Sequence, residues 1–250
     1  MITVGYKTDV GKRRKRNEDA ILVRKGQNFF ILADGVGGNQ SGNIASEKAI
    51  DILDNYLDEN PIKSFKTKKK IFNYFFDVTK IIDYEVTKMS KENIDYMGMA
   101  TTLVFGYIYN MKLYIASLGD SRAYLYRKDK LEQLTDDHTY VNDLIKIGAI
   151  TTEEAKKHSK RNMLTRAIGA DSFGEPDLYE IKLNFDDKIL LCSDGLYNEL
   201  EDEEIINILK EEKDPVLCSE ALINKANSHG GKDNISVICI NILEEEDYEH

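Results

Sequence analysis

A chain of 250 residues with 42% hydrophobic content can bury a sizeable core, so it need not be a disulfide-stapled miniature or a disordered segment. Its 34 basic and 44 acidic residues give a formal charge of −10, which argues against nonspecific binding to nucleic acid or to an anionic membrane surface. No apolar run approaches the roughly 20 residues that a membrane span needs, and the basic start lacks the apolar core of a signal peptide, so a soluble cytoplasmic protein is expected.

In chain order, residues 2–6 and 20–24 read as strands, separated by the basic run Lys12-Arg13-Arg14-Lys15-Arg16 and by Glu18-Asp19. The apolar run 29–33 then delivers Asp34-Gly35, the pattern of an interior strand closed by a turn. After a glycine-rich loop, Ala45, Ala49, Ile52, Leu53, Tyr56 and Leu57 recur at helical spacing until Asn60-Pro61 ends the element. A second long helix carries Phe72, Phe75, Phe76, Thr79, Ile82, Val86 and Met89 on one stripe, which reads as core.

Residues 101–109, 112–117, 123–127 and 130–134 read as an antiparallel meander with Lys128-Asp129 near a hairpin turn, and Asp120 lies just past its second strand. From 140 to 170 the pattern is polar and helical, over 142–147, 152–158 and 162–168, which suits either a functional flap or a surface insertion. Strands follow at 178–183 and 189–193, the second delivering Asp194-Gly195, then helices near 203–211 and 215–228. Asp233-Asn234 opens the last strand, 235–240, and residues 244–250 form an acidic tail expected to fray. Cys192, Cys218 and Cys239 have neither paired nor metal-site spacing and are expected to be reduced core residues.

Two strand-rich stretches accompanied by amphipathic helices give the α+β class, with sheets packed on one another and helices outside. No low-complexity or Pro-rich linker divides the candidate residues between 14 and 233, so one domain is expected. Five acidic loci stand at strand ends: Glu18-Asp19, Asp34, Asp120, Asp194 and Asp233. Carboxylates gathered at the edge of a dry core repel one another unless they share protons or bind a cation. A hard divalent ion prefers such oxygen ligands.

Arg14 with Asn17-Glu18-Asp19, then Ala33-Asp34-Gly35-Val36-Gly37-Gly38, Gly98-Met99-Ala100-Thr101-Thr102, Gly119-Asp120-Ser121-Arg122, Ser193-Asp194-Gly195-Leu196 and Lys232-Asp233-Asn234 appear in the order and approximate spacing of one family. Over essentially its whole length the chain resembles the bacterial protein phosphatase 2C (PPM) family. The resemblance implies a four-layer αββα sandwich, two central antiparallel sheets flanked by helices, with residues 1–243 as a single catalytic domain and a flap at about 140–170. It implies a metal-dependent serine/threonine protein phosphatase using manganese or magnesium, two ions in the core site and a third beside it.

By the same resemblance, Asp34 bridges the two ions, the Gly35 carbonyl binds one of them, and Asp194 and Asp233 complete the ligands of the other. Glu18 and Asp19 hold bound waters, while Asp120 with Asp194 matches the third position. A hydroxide shared by the ions attacks phosphorus in line. Arg14 clamps the phosphate, and its neighbours Arg13 and Arg16 are rivals that only the family spacing sets aside.

The chain departs from many eukaryotic members in having Val36 after Asp34-Gly35, and Asn39 where a later loop histidine sometimes stands. The leaving oxygen therefore needs another proton source, first a water on the third ion and second His158 in the flap. His138 is expected to cap the approach to the next helix. The implied partners are phosphoserine and phosphothreonine proteins and an opposing transmembrane serine/threonine kinase, with no nucleic acid and no membrane insertion, for an enzyme acting as a monomer. The alternative is a phosphatase-like signalling or binding module that is catalytically weak or inactive, but such modules usually lack an acidic ligand and every expected carboxylate stands here. A haloacid-dehalogenase-type enzyme would need Asp-x-Asp after its first strand, and a P-loop enzyme a lysine in the 35–42 loop; neither is present.

Overall fold

The apolar runs become interior strands because both of their faces are covered. In the computed structural model, which describes residues 1–37, 41–170 and 174–244, the strands form two antiparallel sheets. The expectations for Asn39 and for the tail beyond residue 244 lie outside the described residues. One sheet contains β1 (Ile2–Asp9), β7 (Arg122–Arg127), β8 (Lys130–Gln133), β10 (Lys188–Cys192) and β11 (Ile235–Ile242), in the order β1-β11-β10-β7-β8. The other contains β2 (Asp19–Arg24), β3 (Phe29–Val36), β5 (Leu103–Tyr109), β6 (Lys112–Leu118) and β9 (Asp177–Lys182), in the order β2-β3-β5-β6-β9, with the short β4 (Ala100–Thr101) paired to β3.

Alternate residues of one strand serve different layers, as the two-residue period of a strand requires. From β3, Phe30 and Leu32 point between the sheets, where they meet Val104, Ile189, Leu191 and Ile238. Phe29 and Ile31 point the other way, onto α1 (Gly42–Glu59) and α2 (Lys68–Glu92). There Phe29 stacks on Phe105 at 5.6 Å and Phe75 meets Phe105 edge-on at 4.8 Å, ring pairs that each add about 0.5–1.5 kcal/mol beyond their buried area. On the outer face of the first sheet, Leu190, Cys192, Val237 and Cys239 pack with Ile205 and Leu209 of α6 (Asp202–Glu211) and Leu222 and Ile223 of α7 (Pro215–His229). Helix, sheet, sheet, helix is the resulting order of layers. The three cysteines are free thiols and buried, as expected.

The helices stop and start where the sequence provides for it. The Asn60 amide closes α1 by donating to the Tyr56 carbonyl, just before Pro61. Asp214 caps α7, its Oδ1 accepting from Val216 N at 2.7 Å with Pro215 at the first helical position. Lys128 and Asp129, both at positive φ, make the two-residue turn between β7 and β8.

Two local expectations are corrected. Residues 101–134 are not one meander: β6 pairs with β5 and β9, whereas β7 pairs with β10 and β8, so the chain changes sheets between Leu118 and Arg122. Gly119, at φ +107°, makes that step, and a Cβ there would lie 2.6 Å from Thr102 Cβ. Residues 162–168 form no helix, because their backbone groups bond across to other segments. Tyr140 N donates to Met163 O, Thr165 N to His138 O, and Ile168 exchanges two bonds with Thr101. Between residues 140 and 170 the helices are α3 (Tyr140–Lys146) and α4 (Thr152–Lys156). Among the described residues no helix is long and apolar enough to cross a membrane.

Candidate active site

All five acidic loci reach one cleft of about 250 Å³ at the seam between the sheets. Arg14, Glu18, Asp34, Gly35, Asp120, Asp194 and Asp233 line it, and Asp19 lies buried beneath. Two larger hollows, of about 440 and 760 Å³, each have a single carboxylate in their walls, so volume does not mark the chemistry here.

Backbone contacts hold each carboxylate in place. Asp34 lies near the end of β3, its amide donating to Thr102 Oγ1 at 3.0 Å and its carbonyl accepting from Thr102 N at 2.8 Å. The next residue must be glycine, because a Cβ on Gly35 would lie 2.2 Å from Gly42 O and 2.6 Å from Glu18 O. Asp194 begins the short α5 (Asp194–Tyr197), and Gly195 lets that turn approach Asn234 O, to within 2.0 Å of where a Cβ would stand. Asp120 sits on the sheet-switching step, where its carbonyl accepts from Tyr197 Oη at 2.9 Å and neighbouring Ser121 Oγ lies 2.7 Å from Thr102 Oγ1.

Arg14 rides on a loop pinned at Lys12, whose amide donates to Gly231 O at 2.7 Å, and its Nη2 donates to Asp233 Oδ2 at 2.7 Å. Of the basic run only Arg14 lines the cleft; Arg16 Nη1 donates instead to Asn43 Oδ1.

The electrostatics follow from this crowding. Asp19 and Asp34 are directly opposite across β2 and β3, where like charges are destabilising. Burial, opposed by hydrogen bonds from Ser236 and Ser193, pushes the Asp19 carboxyl up to about 6. Burial and then the charges of Asp19 and Asp194 hold Asp34 well above the ordinary carboxylate range. Burial and then Asp120 and Asp233 do the same for Asp194, and burial with Asp137 brings Asp120 to about 7.

Asp19 Oδ2 accepts from Ser193 Oγ at 2.8 Å, but its Oδ1 is buried without a hydrogen-bond partner. An orphan carboxylate oxygen in an all-oxygen cluster of repelling acids suits hard divalent cations. Among the described residues no three acidic, histidine or cysteine side chains converge as a closed cage. A hydrated ion such as magnesium needs only one or two carboxylates, because it keeps several of its waters.

Three contributions go beyond what the motifs assign: the hub Asn234, the pair Asn162 and Leu164, and His138. Asn234 is a buried hub: its Nδ2 donates to Val10 O and Arg16 O, both at 2.9 Å, and its Oδ1 accepts from Glu18 N at 2.8 Å, so it fixes both ends of the Arg14 loop. Asn162 and Leu164 form part of the cleft wall. His158 is not among the lining residues; its Nδ1 accepts from Lys160 N and its ring lies 5.9 Å from Tyr140.

His138 is the third, and the expectation that it caps a helix is corrected, since Thr139 caps α3 through its side chain. The His138 ring is buried and ties two loops together. Its Nδ1 accepts from Gly119 N at 3.0 Å while its own amide donates to Gly119 O at 2.9 Å, clasping the residue before Asp120. The proton therefore sits on Nε2, which donates to Asp177 Oδ2 at 3.0 Å, and burial lowers the ring pKa and keeps it neutral.

Residues 10–235 match the family model described as Protein phosphatase 2C. The chain is 35% identical over 238 residues to the serine/threonine phosphatase stp of Listeria innocua, covering 94% of each. It is similar in structure to the S. agalactiae serine/threonine phosphatase, with a TM-score of 0.90 and 33% identity over 97% of this chain and 100% of that one. It is also similar to the catalytic domain of the serine/threonine protein phosphatase PstP in complex with two manganese ions, with a TM-score of 0.84 and 30% identity over 97% and 99% of the chains.

Two outcomes follow from this geometry. His138→Ala leaves the buried Gly119 amide without an acceptor, at a cost of about 1–3 kcal/mol, or roughly 2–12 °C in Tm for a chain of this size. His138→Asn, which restores an acceptor where Nδ1 stood, recovers part of that loss in thermal unfolding. The raised carboxyls set a pH dependence in chelator-treated protein. The stability that protonated Asp19 and Asp120 contribute is present below the ordinary carboxylate range, and it is lost as the pH rises through about 6 and about 7. Melting scans should therefore show Tm falling across that window, and added Mn²⁺ should raise Tm more at the upper end, where protons no longer compete.

Proposed function

The chain belongs to the protein phosphatase 2C family and is a serine/threonine protein phosphatase with manganese or magnesium as its cofactor, and we propose a role for each residue of the cleft in that reaction. One observation carries the assignment: carboxylates from distant strand ends converge on a single cleft beside an arginine that alone of its basic run lines it. Asp34, the Gly35 carbonyl, Asp194 and Asp233 would hold two ions, Glu18 and Asp19 would orient water around them, and Asp120 with Asp194 would hold a third. Such ions, when bound, supply a water acidic enough to act as nucleophile near neutral pH and offset the charge of the phosphoryl oxygens.

Arg14 binds the phosphate through its planar fork and is kept aligned by Asp233, to which it donates. Asn234 holds that loop against the carboxylates, so the phosphate-binding arginine keeps a fixed position relative to the acids. No histidine lines the cleft among the described residues, so the leaving serine or threonine oxygen takes its proton from water in the Asp120 corner, and His158 stays outside the reaction. We assign the enzyme to the cytoplasm, dephosphorylating phosphoserine and phosphothreonine proteins in opposition to a bacterial serine/threonine kinase. An inactive binding module is not favoured, because the acidic set is complete and packed into place.

Purified protein should hydrolyse an aryl phosphate with Mn²⁺ or Mg²⁺ and lose that activity on exhaustive chelation; turnover that survives chelation would exclude metal-dependent hydrolysis. Arg14→Ala should lower kcat/KM for aryl phosphate and phosphopeptide alike by about 10- to 150-fold, the equivalent of one charge-assisted contact of roughly 1.5–3 kcal/mol. Arg13→Ala, outside the cleft and exposed, should change it little. Equal small effects at the two positions would remove Arg14 from the site.

A further inference from the structure

We infer that this phosphatase selects phosphorylated segments flanked by acidic residues, through a basic collar at the mouth of its cleft; the inference rests on the phosphatase reading above. Nine of the chain's 34 lysines and arginines fall in two short runs, residues 12–16 and 156–161, in a protein whose net charge is −10. No acidic residue interrupts either run, and every lysine and arginine in them is exposed.

The two runs are 140 residues apart in sequence, yet the first has a residue in the cleft wall and the second stops just short of it. The first enters its wall at Arg14, and the second ends one residue before Asn162, which lines it. Adjacent residues are only about 3.8 Å apart from Cα to Cα, so Arg161 stands at the rim.

Several of these cations already have a partner: Arg16 Nη1 donates to Asn43 Oδ1, and Lys160 Nζ lies 5.1 Å from the centre of the Tyr140 ring. Arg14 pairs with Asp233, and Lys156 lies 3.6 Å from the exposed Glu153, but Lys157 and Arg161 form no ion pair among the described residues. Packing does not account for the second run either, since its charged side chains are exposed. Concentrated positive charge around an acidic cleft offers complementary potential to the polypeptide on either side of a phosphoresidue, where it would speed encounter and set preference. A nucleic acid or an anionic membrane would meet the same cations, but both would also meet the repulsion of the acidic body around them.

The test uses the intact protein with Mn²⁺ and three substrates: a phosphothreonine peptide with acidic residues on both sides, the same peptide with those acids replaced by amides, and an aryl phosphate. The acidic peptide should have the higher kcat/KM, by about fivefold at low salt, the scale of two or three exposed ion pairs, and the preference should shrink as salt is added. Lys157→Glu/Arg161→Glu should remove the preference while melting and aryl phosphate turnover stay as in the wild type. Equal treatment of the two peptides by the wild type, or a preference that survives in the double variant, would overturn the inference.

If none of the three is hydrolysed, it is the phosphatase reading that fails. Fluorescence anisotropy with the labelled peptides then still decides the matter: tighter binding of the acidic peptide that the double variant loses supports the collar. Equally tight binding of a single-stranded DNA of matched charge would show a generic polyanion surface and overturn it.

Discussion

Mutual repulsion among carboxylates at the seam of the two sheets is the constraint on which the rest of this structure depends. Asp19 and Asp34 face each other across neighbouring strands, and two like charges about 5 Å apart at an effective dielectric of 20 repel by about 3 kcal/mol. A folded domain has only about 5–15 kcal/mol of net stability, so one such pair is affordable and a cluster of five acidic loci is not, unless protons or cations intervene. The fold keeps the cluster because the layers on both sides are dry and well packed. Phe30, Leu32, Ile189, Leu191 and Ile238 fix the sheets against each other, and the acids sit at the ends of the strands that carry these residues.

What positions the acids is mostly backbone and small polar side chains. Thr102 receives the Asp34 amide and touches Ser121 beside Asp120, so one threonine sets the distance between two loci. Ser193 bonds both Asp19 and the Ser236 amide, tying the two sheets together beneath the cleft. Arg122 forks onto Asp137 and lies 3.5 Å over the Tyr197 ring, whose hydroxyl in turn holds the Asp120 carbonyl. Glycines at 35, 119 and 195 allow the close approaches that these contacts require.

Much of this was legible in the sequence where period and turn chemistry agree. The runs ending at Asp34 and Asp194 are interior strands because they read as continuous apolar stretches, and α1 and α2 follow from their stripes and from Asn60-Pro61. The misreadings share a cause. An even sequence of short strands gives no sign that the chain leaves one sheet for the other at Gly119, since both strands alternate in the same way. Nor does the polar string around His138 show that the ring is buried, because its partners, Gly119 and Asp177, are remote in sequence. Asn234 is an ordinary turn residue by type, and only the folded chain brings Val10, Arg16 and Glu18 to it. Local patterns report what a residue prefers, whereas these positions are set by contacts between distant segments.

The pairing of β1 with β11 orders events during synthesis. Ile2 lies opposite Ile242 and Asp9 opposite Ile235, so β1 waits for β11, which is synthesised much later, before its edge of the sheet can close. Loop closure over such a span is slow, and an unpaired β1 exposes backbone that could pair with other chains. Asp233 and Asn234 arrive with β11, which means that the Arg14 loop has neither its hub nor its ion-pair partner until then. A nascent chain can therefore fold its helix-backed second sheet early while remaining without a complete catalytic centre, and hydrolysis begins only after the final strand is inserted between β1 and β10.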